Sequence, residues 1–314
     1  YKSAVEPYIA EQMSDANREQ VSSYQQSIWN NMLKDVAKSR KTTAEALNSL
    51  ADSLTILSGP EASVKGGLVD KLCYQDEVKK ILKNKAKMEE GESLRFVSIS
   101  DLALSEELND KVDDEIAVYY AYGEIKEDIT GGFAQESAIT SKQMTKDLQE
   151  LREDDDVKAV VLRVNSPGGS AYASEQIWRE VQLLSKEKPV IVSMGALAAS
   201  GGYYISCGAN KIFAEPTTLT GSIGIFGMIP DATELLTDKL GLSFDVVKTN
   251  AHSDFGAMGR PLNESECRLM QAYINQGYEL FTGRVAQGRK ISQDSVKAVA
   301  EGRVWTGEQA MKIG

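Results

Sequence analysis

The chain has 314 residues, a formal net charge of −11, 42% hydrophobic and 26% charged residues. That composition is ordinary for a globular protein, the acidic balance argues against a nucleic-acid-binding surface, and the length allows about two units with a sizeable core. No apolar run reaches the roughly 18 residues of a membrane span, and no signal peptide pattern occurs in the sequence.

The abrupt start at Tyr1-Lys2-Ser3-Ala4 and the stop at Met311-Lys312-Ile313-Gly314 read as the limits of a fragment, with an anchor or targeting signal expected outside it. Cys73, Cys207 and Cys267 lie far apart with no CxxC pair, and His252 is the one histidine, so neither a disulfide framework nor a metal site is expected and no cofactor is called for.

In chain order, Val21, Tyr24, Ile28, Met32 and Val36 recur at helical spacing and predict an amphipathic helix over Ser14–Arg40, with Ser14 as its N-cap. A second helix is expected over Thr43–Leu54, broken by Gly59-Pro60, then a helical turn at Glu61–Val64 and a basic amphipathic helix at Asp76–Lys87. Glu89-Glu90-Gly91-Glu92 reads as a solvated linker.

The chain also resembles itself. At one constant offset Met270, Tyr273, Gly277, Phe281 and Val285 fall on the stripe of the first long helix, and Val36-Ala37-Lys38-Ser39-Arg40-Lys41 falls on Val285-Ala286-Gln287-Gly288-Arg289-Lys290. Ser58-Gly59-Pro60-Glu61-Ala62 then matches Thr306-Gly307-Glu308-Gln309-Ala310 with slight slippage. The expected organisation is the C-terminal part of a first repeat with a helical extension over residues 1–92, followed by a nearly complete second repeat over 93–314.

The second repeat alternates β and α. Strands are expected at Ile116–Tyr122, Val157–Val164, Val190–Met194, Lys211–Ala214, Ser222–Phe226 and Phe244–Lys248, and helices at Ser141–Leu151, Ala173–Ser185, Tyr203–Cys207 and Ala232–Leu240. This order implies an α/β fold with a largely parallel sheet. Two glycine-rich turns, Pro167-Gly168-Gly169 and Ser200-Gly201-Gly202, each follow an apolar strand and so emerge at the same sheet edge, where α/β folds bind ligands. Ser200 is the candidate nucleophile and the N–H groups of Gly169 and Gly201 the candidate oxyanion hole. A serine needs a base. His252 with Asp254 is one option; a desolvated lysine is another, since burial disfavours the charged amine. Residue types alone leave this choice open.

Leu162-Arg163-Val164-Asn165-Ser166-Pro167-Gly168-Gly169-Ser170, Ala198-Ala199-Ser200-Gly201-Gly202-Tyr203-Tyr204-Ile205-Ser206 and Leu219-Thr220-Gly221-Ser222-Ile223-Gly224-Ile225 together resemble signal peptide peptidase A, or protease IV, in its long tandem-repeat bacterial form. The resemblance implies a crotonase/Clp-protease-like fold of repeated β-β-α units and a Ser/Lys dyad that cuts residual signal peptides at the membrane. It makes Ser200 the nucleophile. It makes Lys2, in Tyr1-Lys2-Ser3-Ala4-Val5-Glu6-Pro7, the general base, and Ser222 the hydroxyl that orients the amine. Short single-repeat relatives carry their lysine at the position of Ser253; Lys248 is a nearby rival. The resemblance further implies peptide substrates, a homo-oligomer, and membrane attachment through a segment outside this chain. The expected location is the bacterial inner membrane with the catalytic part on the periplasmic side. Two other readings compete: a scaffold of the same fold without turnover, and acyl-CoA chemistry of the crotonase type.

Overall fold

The computed structural model describes residues 1–89, 91–104, 114–128 and 138–314. By packing, the chain forms two compact units, Tyr1–Ile28 with Asp114–Gly314, and Trp29–Asp113. A 3₁₀ turn at Ser3–Val5 leads into α1 (Glu6–Ile9) and the long α2 (Asp15–Arg40), which starts in the first unit and ends in the second. Ser14 caps α2 as the sequence predicts, its hydroxyl accepting the Asn17 N–H at 3.2 Å.

The second unit is helical: α3 (Ala44–Asp52), α4 (Pro60–Lys65), α5 (Gln75–Lys85) and α6 (Ile99–Leu104). Thr43 caps α3 by accepting the Ala46 N–H, and Leu47 of α3 and Leu33 of α2 are buried. Gly59, at φ 90°, ends the 3₁₀ turn Thr55–Ser58 and lets Pro60 open α4, the break expected at Gly59-Pro60. In the expected linker, Glu89, Gly91 and Glu92 are exposed; Glu90 lies outside the described residues.

The first unit continues with β1 (Glu115–Tyr122), β2 (Glu124–Lys126), β3 (Ala138–Thr140), α7 (Ser141–Glu153), β4 (Val157–Ser166), α8 (Ala171–Glu187), β5 (Val190–Ala199), α9 (Gly201–Ser206), β6 (Lys211–Phe213) and β7 (Leu219–Gly221). It closes with α10 (Glu264–Arg289), α11 (Gln293–Lys297), β8 (Val304–Thr306) and α12 (Gly307–Lys312). Among the described residues the main sheet has the order β1-β4-β5-β7-β8, with β6 also on β5, and every pairing is parallel except β7 with β8. β2 and β3 form a separate parallel pair. The alternation of strands and helices thus builds the α/β fold with a mostly parallel sheet that the sequence implies.

β4 shows why. Val160, Leu162 and Val164 point to one face and are fully buried. There they meet Met144 and Leu148 of α7 and Ile177, Val181 and Leu184 of α8 in one apolar cluster. A second cluster joins Trp178 of α8, Tyr204 of α9 and Phe281 and Val285 of α10, with the Tyr204 and Phe281 rings stacked 4.4 Å apart. These contacts hold the short α9, and hence the end of β5, in place.

Four expectations change. The strand expected at Ser222–Phe226 is absent; strand pairing stops at β7. Gly221 and Ser222 have φ of 75° and 50°, turning the chain away, and the Ser222 N–H and Ile223 O bond instead to Arg303 O and the Gly302 N–H. Phe244–Lys248 has β-branched residues but no partner strand among the described residues, and Val247 stands 98% exposed. β propensity without a neighbour to pair with does not make a strand. The helix expected at Ala232–Leu240 is a π-helical turn at Leu235–Lys239. In the other direction, the strand expected to end at Met194 runs on to Ala199, because Gly195 lets β5 lie close against Asn165, whose Oδ1 accepts the Leu197 N–H at 3.1 Å.

The division of the two sheet faces is measurable. Leu162→Ala should lower unfolding free energy by about 2–5 kcal/mol, whereas Val118→Ala, on the exposed side of β1, should change it by no more than about 0.5 kcal/mol; urea titration of both variants reads the difference.

Candidate active site

β5 ends at Ala199 and α9 begins at Gly201, so the chain must turn at one residue, Ser200. It does so at φ 53° and ψ −120°, a conformation that costs a residue with a Cβ of order 1–3 kcal/mol. Hydrogen bonds on both sides hold it: the Ser200 N–H donates to Gly221 O and the Tyr204 N–H donates to Ser200 O, each at 2.9 Å. Glycine is required next. A Cβ on Gly202 would stand 2.7 Å from Ser166 O, so only glycine lets α9 start this close to β4.

The loop after β4 comes up beside this turn. Gly168 and Gly169 have φ of 99° and 154°, and a Cβ on Gly168 would stand 2.5 Å from the Gly201 nitrogen and 2.9 Å from Ser200 Cβ. Gly168 spends its own polar groups internally, its N–H on Ser166 Oγ at 3.1 Å and its carbonyl on the Ile125 N–H at 2.8 Å. The N–H groups of Gly169 and Gly201 have no acceptor among the described residues. Gly201 opens α9, where the first N–H groups have no intrahelical partner. Two amides are therefore left over on either side of Ser200.

Lys2 completes the cluster from the other end of the sequence. Its Nζ lies 3.1 Å from Ser200 Oγ and donates to Ser222 Oγ at 2.9 Å and to Ser222 O at 3.1 Å. Ser222 is buried. Its left-handed turn, fixed by the bond to Arg303 O at 2.7 Å, aims both its hydroxyl and its carbonyl at the amine. No carboxylate pairs with Lys2 among the described residues, and burial pushes its amine down to about 8. The Phe226 ring, 5.9 Å from Nζ, supplies part of the apolar wall.

The other candidate bases are engaged elsewhere. Lys248 Nζ lies 2.7 Å from the buried Asp254 carboxylate, which also accepts from Arg260 Nε at 2.6 Å. His252 Nδ1 is 3.4 Å from Glu266, not on Asp254, so His252 and Asp254 do not form the pair a triad needs. Hydrogen bonds from Arg260 hold the Asp254 and Glu266 carboxyls well below the usual carboxylate range. Two buried carboxylates with partly exposed cations thus tie the 248–260 segment to Glu266 of α10.

Of the residues singled out by sequence, Ser200, Lys2, Ser222, Gly169 and Gly201 come together. Sequence reasoning missed Gly302: at φ 77°, its absent Cβ would stand 2.5 Å from Lys2 Cβ and 2.7 Å from Lys2 Cδ, so the lysine stem lies directly on its backbone. Nothing in the local pattern Glu301-Gly302-Arg303 signals this, because the contact joins opposite ends of the chain. A poised amine, a strained serine and two free amides can together accept a proton and stabilise a developing oxyanion.

Comparison with known proteins adds independent findings. The model of peptidase family S49 matches residues 1–89 and 182–314, and that of Clp protease matches residues 122–219. Over all of its length the chain is 38% identical to Protease 4 of Salmonella typhi, spanning 51% of that protein, and 33% identical to the chloroplastic serine protease SPPA of Arabidopsis thaliana, spanning 46%. Over 53% of its length it is 39% identical to the putative signal peptide peptidase SppA of Enterococcus faecium, spanning 48% of that protein. The chain thus spans about half the length of these relatives.

Strain at Ser200 predicts a sign. Ser200→Gly relieves the turn and should be more stable than Ser200→Ala by roughly 1 kcal/mol, read by urea denaturation; equal stabilities would mean that the turn is unstrained.

Proposed function

The chain belongs to peptidase family S49, and on that premise we propose that it is a serine endopeptidase with a Ser/Lys dyad that hydrolyses residual signal peptides and other membrane-derived peptides. The observation that carries the reading is the 3.1 Å approach of the Lys2 amine to the Ser200 hydroxyl in a site that lowers the amine to about 8. Neutral Lys2 takes the Ser200 proton as Oγ bonds to the peptide carbonyl carbon. The carbonyl oxygen, now negative, lies against the Gly169 and Gly201 N–H groups. As the tetrahedral intermediate collapses, the C–N bond breaks and Lys2 returns the proton to the leaving amine. Water then attacks the acyl-enzyme, giving its proton to Lys2, and Ser200 is released with that proton. Ser222 acts throughout by fixing the direction of the amine through its hydroxyl and carbonyl.

The proposal includes the repeat. Its support is that α2 and α10 are each 26 residues long, that each is followed by a lysine at left-handed φ, Lys41 at 54° and Lys290 at 58°, and that each is succeeded by a helix capped by a hydroxyl, Thr43 and Ser292. On this reading the base comes from the first repeat and the nucleophile with its oxyanion hole from the second. Self-association and attachment to the bacterial inner membrane through a segment outside this chain, with the catalytic part on the periplasmic side, belong to the proposal through the family resemblance. No described helix is long and apolar enough to cross a membrane. Acyl-CoA chemistry on such a fold calls for an acidic base, whereas the group beside Ser200 is an amine.

A fluorophosphonate that phosphonylates Ser200 tests the reading. The intact protein should label at Ser200, Lys2→Met should slow labelling by about 10²- to 10⁴-fold, and Lys248→Ala should leave the rate within a small factor. A silent scaffold would not label, and dependence on Lys248 instead of Lys2 would reassign the base.

The pH dependence has a definite sign. The reactive form is the neutral amine, so the rate should rise about tenfold per pH unit below about 8 and level off above it. Because the folded amine sits below the ordinary 10.5, the unfolded chain binds more protons between these values, and stability at this site rises with pH across that window. Lys2→Met removes the penalty, so its melting temperature at neutral pH should not fall; a marked drop would show that the amine stabilises the fold.

A further inference from the structure

Lys2 is carried by a short segment, one 3₁₀ turn and the four-residue α1, that has no buried residue of its own. Ordering such a segment costs about 1–2 kcal/mol per residue in backbone entropy, so other groups must hold it. Gln20 of α2 is one. It is 3% exposed, and its Nε2 donates to Tyr1 O at 2.7 Å and to Ser3 Oγ at 3.1 Å, the residues on either side of Lys2, while its Oε1 accepts the Val304 N–H at 3.1 Å. The amide can face only one way, because its NH₂ alone can meet the Tyr1 carbonyl and its oxygen alone can meet the Val304 N–H.

Arg303 is the other. Its guanidinium lies between two rings, 4.8 Å from the Tyr1 centroid and 4.3 Å from that of Trp305. Its Nη1 donates to Tyr1 Oη at 3.1 Å and to Glu19 at 2.8 Å, and Tyr1 Oη donates to the same carboxylate at 2.6 Å. The Arg303 backbone carbonyl is the acceptor that holds Ser222 in its turn, and the residue before it, Gly302, is the surface on which the lysine stem rests. One tripeptide, Gly302-Arg303-Val304, therefore touches Lys2, Tyr1, Gln20 and Ser222.

We propose that Gln20 and Arg303 are positioning residues for the Lys2 amine, gripping Tyr1 and Ser3 and tying them to the stretch that holds Ser222. This inference rests on the dyad reading. Neither side chain bonds to Ser200 or to the amine; both act by keeping the segment docked. Without the grip the amine spends part of its time in water. There it holds its proton as an ordinary lysine does and is too far from Ser200 to act. Lysine cannot replace Arg303, because the planar fork and the stacking between rings are lost with the guanidinium.

The test is the pH dependence of fluorophosphonate labelling at Ser200 in the full-length protein and in Arg303→Met, Arg303→Lys and Gln20→Met, with thermal unfolding of each. The expected result is labelling slower by about 10- to 100-fold at neutral pH, a deficit that shrinks as pH rises toward the ordinary lysine value of 10.5, and no recovery in Arg303→Lys. An unchanged pH midpoint, or a loss equal at every pH that follows loss of folded protein, overturns the proposal. Should these variants unfold, Tyr1→Phe removes only the hydroxyl shared by Arg303 and Glu19, and its midpoint should still move upward; a wild-type midpoint there counts against the grip. If the unaltered protein does not label at all, the dyad reading fails instead. The grip is then decided by acetylation of Lys2 with acetic anhydride across pH, whose midpoint should rise in Arg303→Met and would be equal in both proteins if the grip did not exist.

Discussion

An amine held out of water, 3.1 Å from a serine hydroxyl and with no carboxylate to pair with among the described residues, is the constraint on which the site depends. A lysine left to itself would sit in solvent and carry its charge. Here two hydrogen bonds to Ser222 hold the amine in place while burial lowers it to about 8, so a fraction of it is neutral near neutral pH, and that fraction can act as a base. Everything near the site can be read as a condition for that arrangement: a strained Ser200, a left-handed Ser222, and Gly302 flat against the lysine stem.

These conditions come from different layers. The parallel core strands β4 and β5 bring two turns to one edge, and the apolar cluster around Trp178, Tyr204 and Phe281 fixes the helix that starts at Gly201. Glycines at 168, 201 and 202 then let the loop after β4 and the turn after β5 approach more closely than a Cβ permits. The strain at Ser200 is tolerated because hydrogen bonds to Gly221 and from Tyr204 over-determine the turn, so stability from the core is spent on geometry at the edge.

Much of this was legible beforehand. The buried strand VKAVVLRV, the amphipathic stripes and the Ser14 cap follow from periodicity and capping chemistry, and the three glycine-and-serine motifs single out the residues that the fold brings around Lys2. Residue types alone could not choose between His252, Lys248 and Lys2, because each side chain can accept a proton and only packing decides which one loses its water. Phe244–Lys248 misled for the opposite reason: its side chains suit a strand, but a strand needs a partner, and pairing is a property of the sheet. Gly302, Gln20 and Arg303 could not be seen at all, since their importance lies in contacts that join opposite ends of the chain, such as Arg303 with Tyr1 and Gln20 with Val304.

The most direct measurement is the titration of the lysine amines by carbon NMR with label at Cε, in the protein and in Lys2→Met. One resonance should titrate near 8, well below the ordinary 10.5, and be missing from Lys2→Met. If every lysine titrates near the ordinary value, the neutral amine beside Ser200 is more than about a hundredfold scarcer at neutral pH than the account requires, and the account is contradicted.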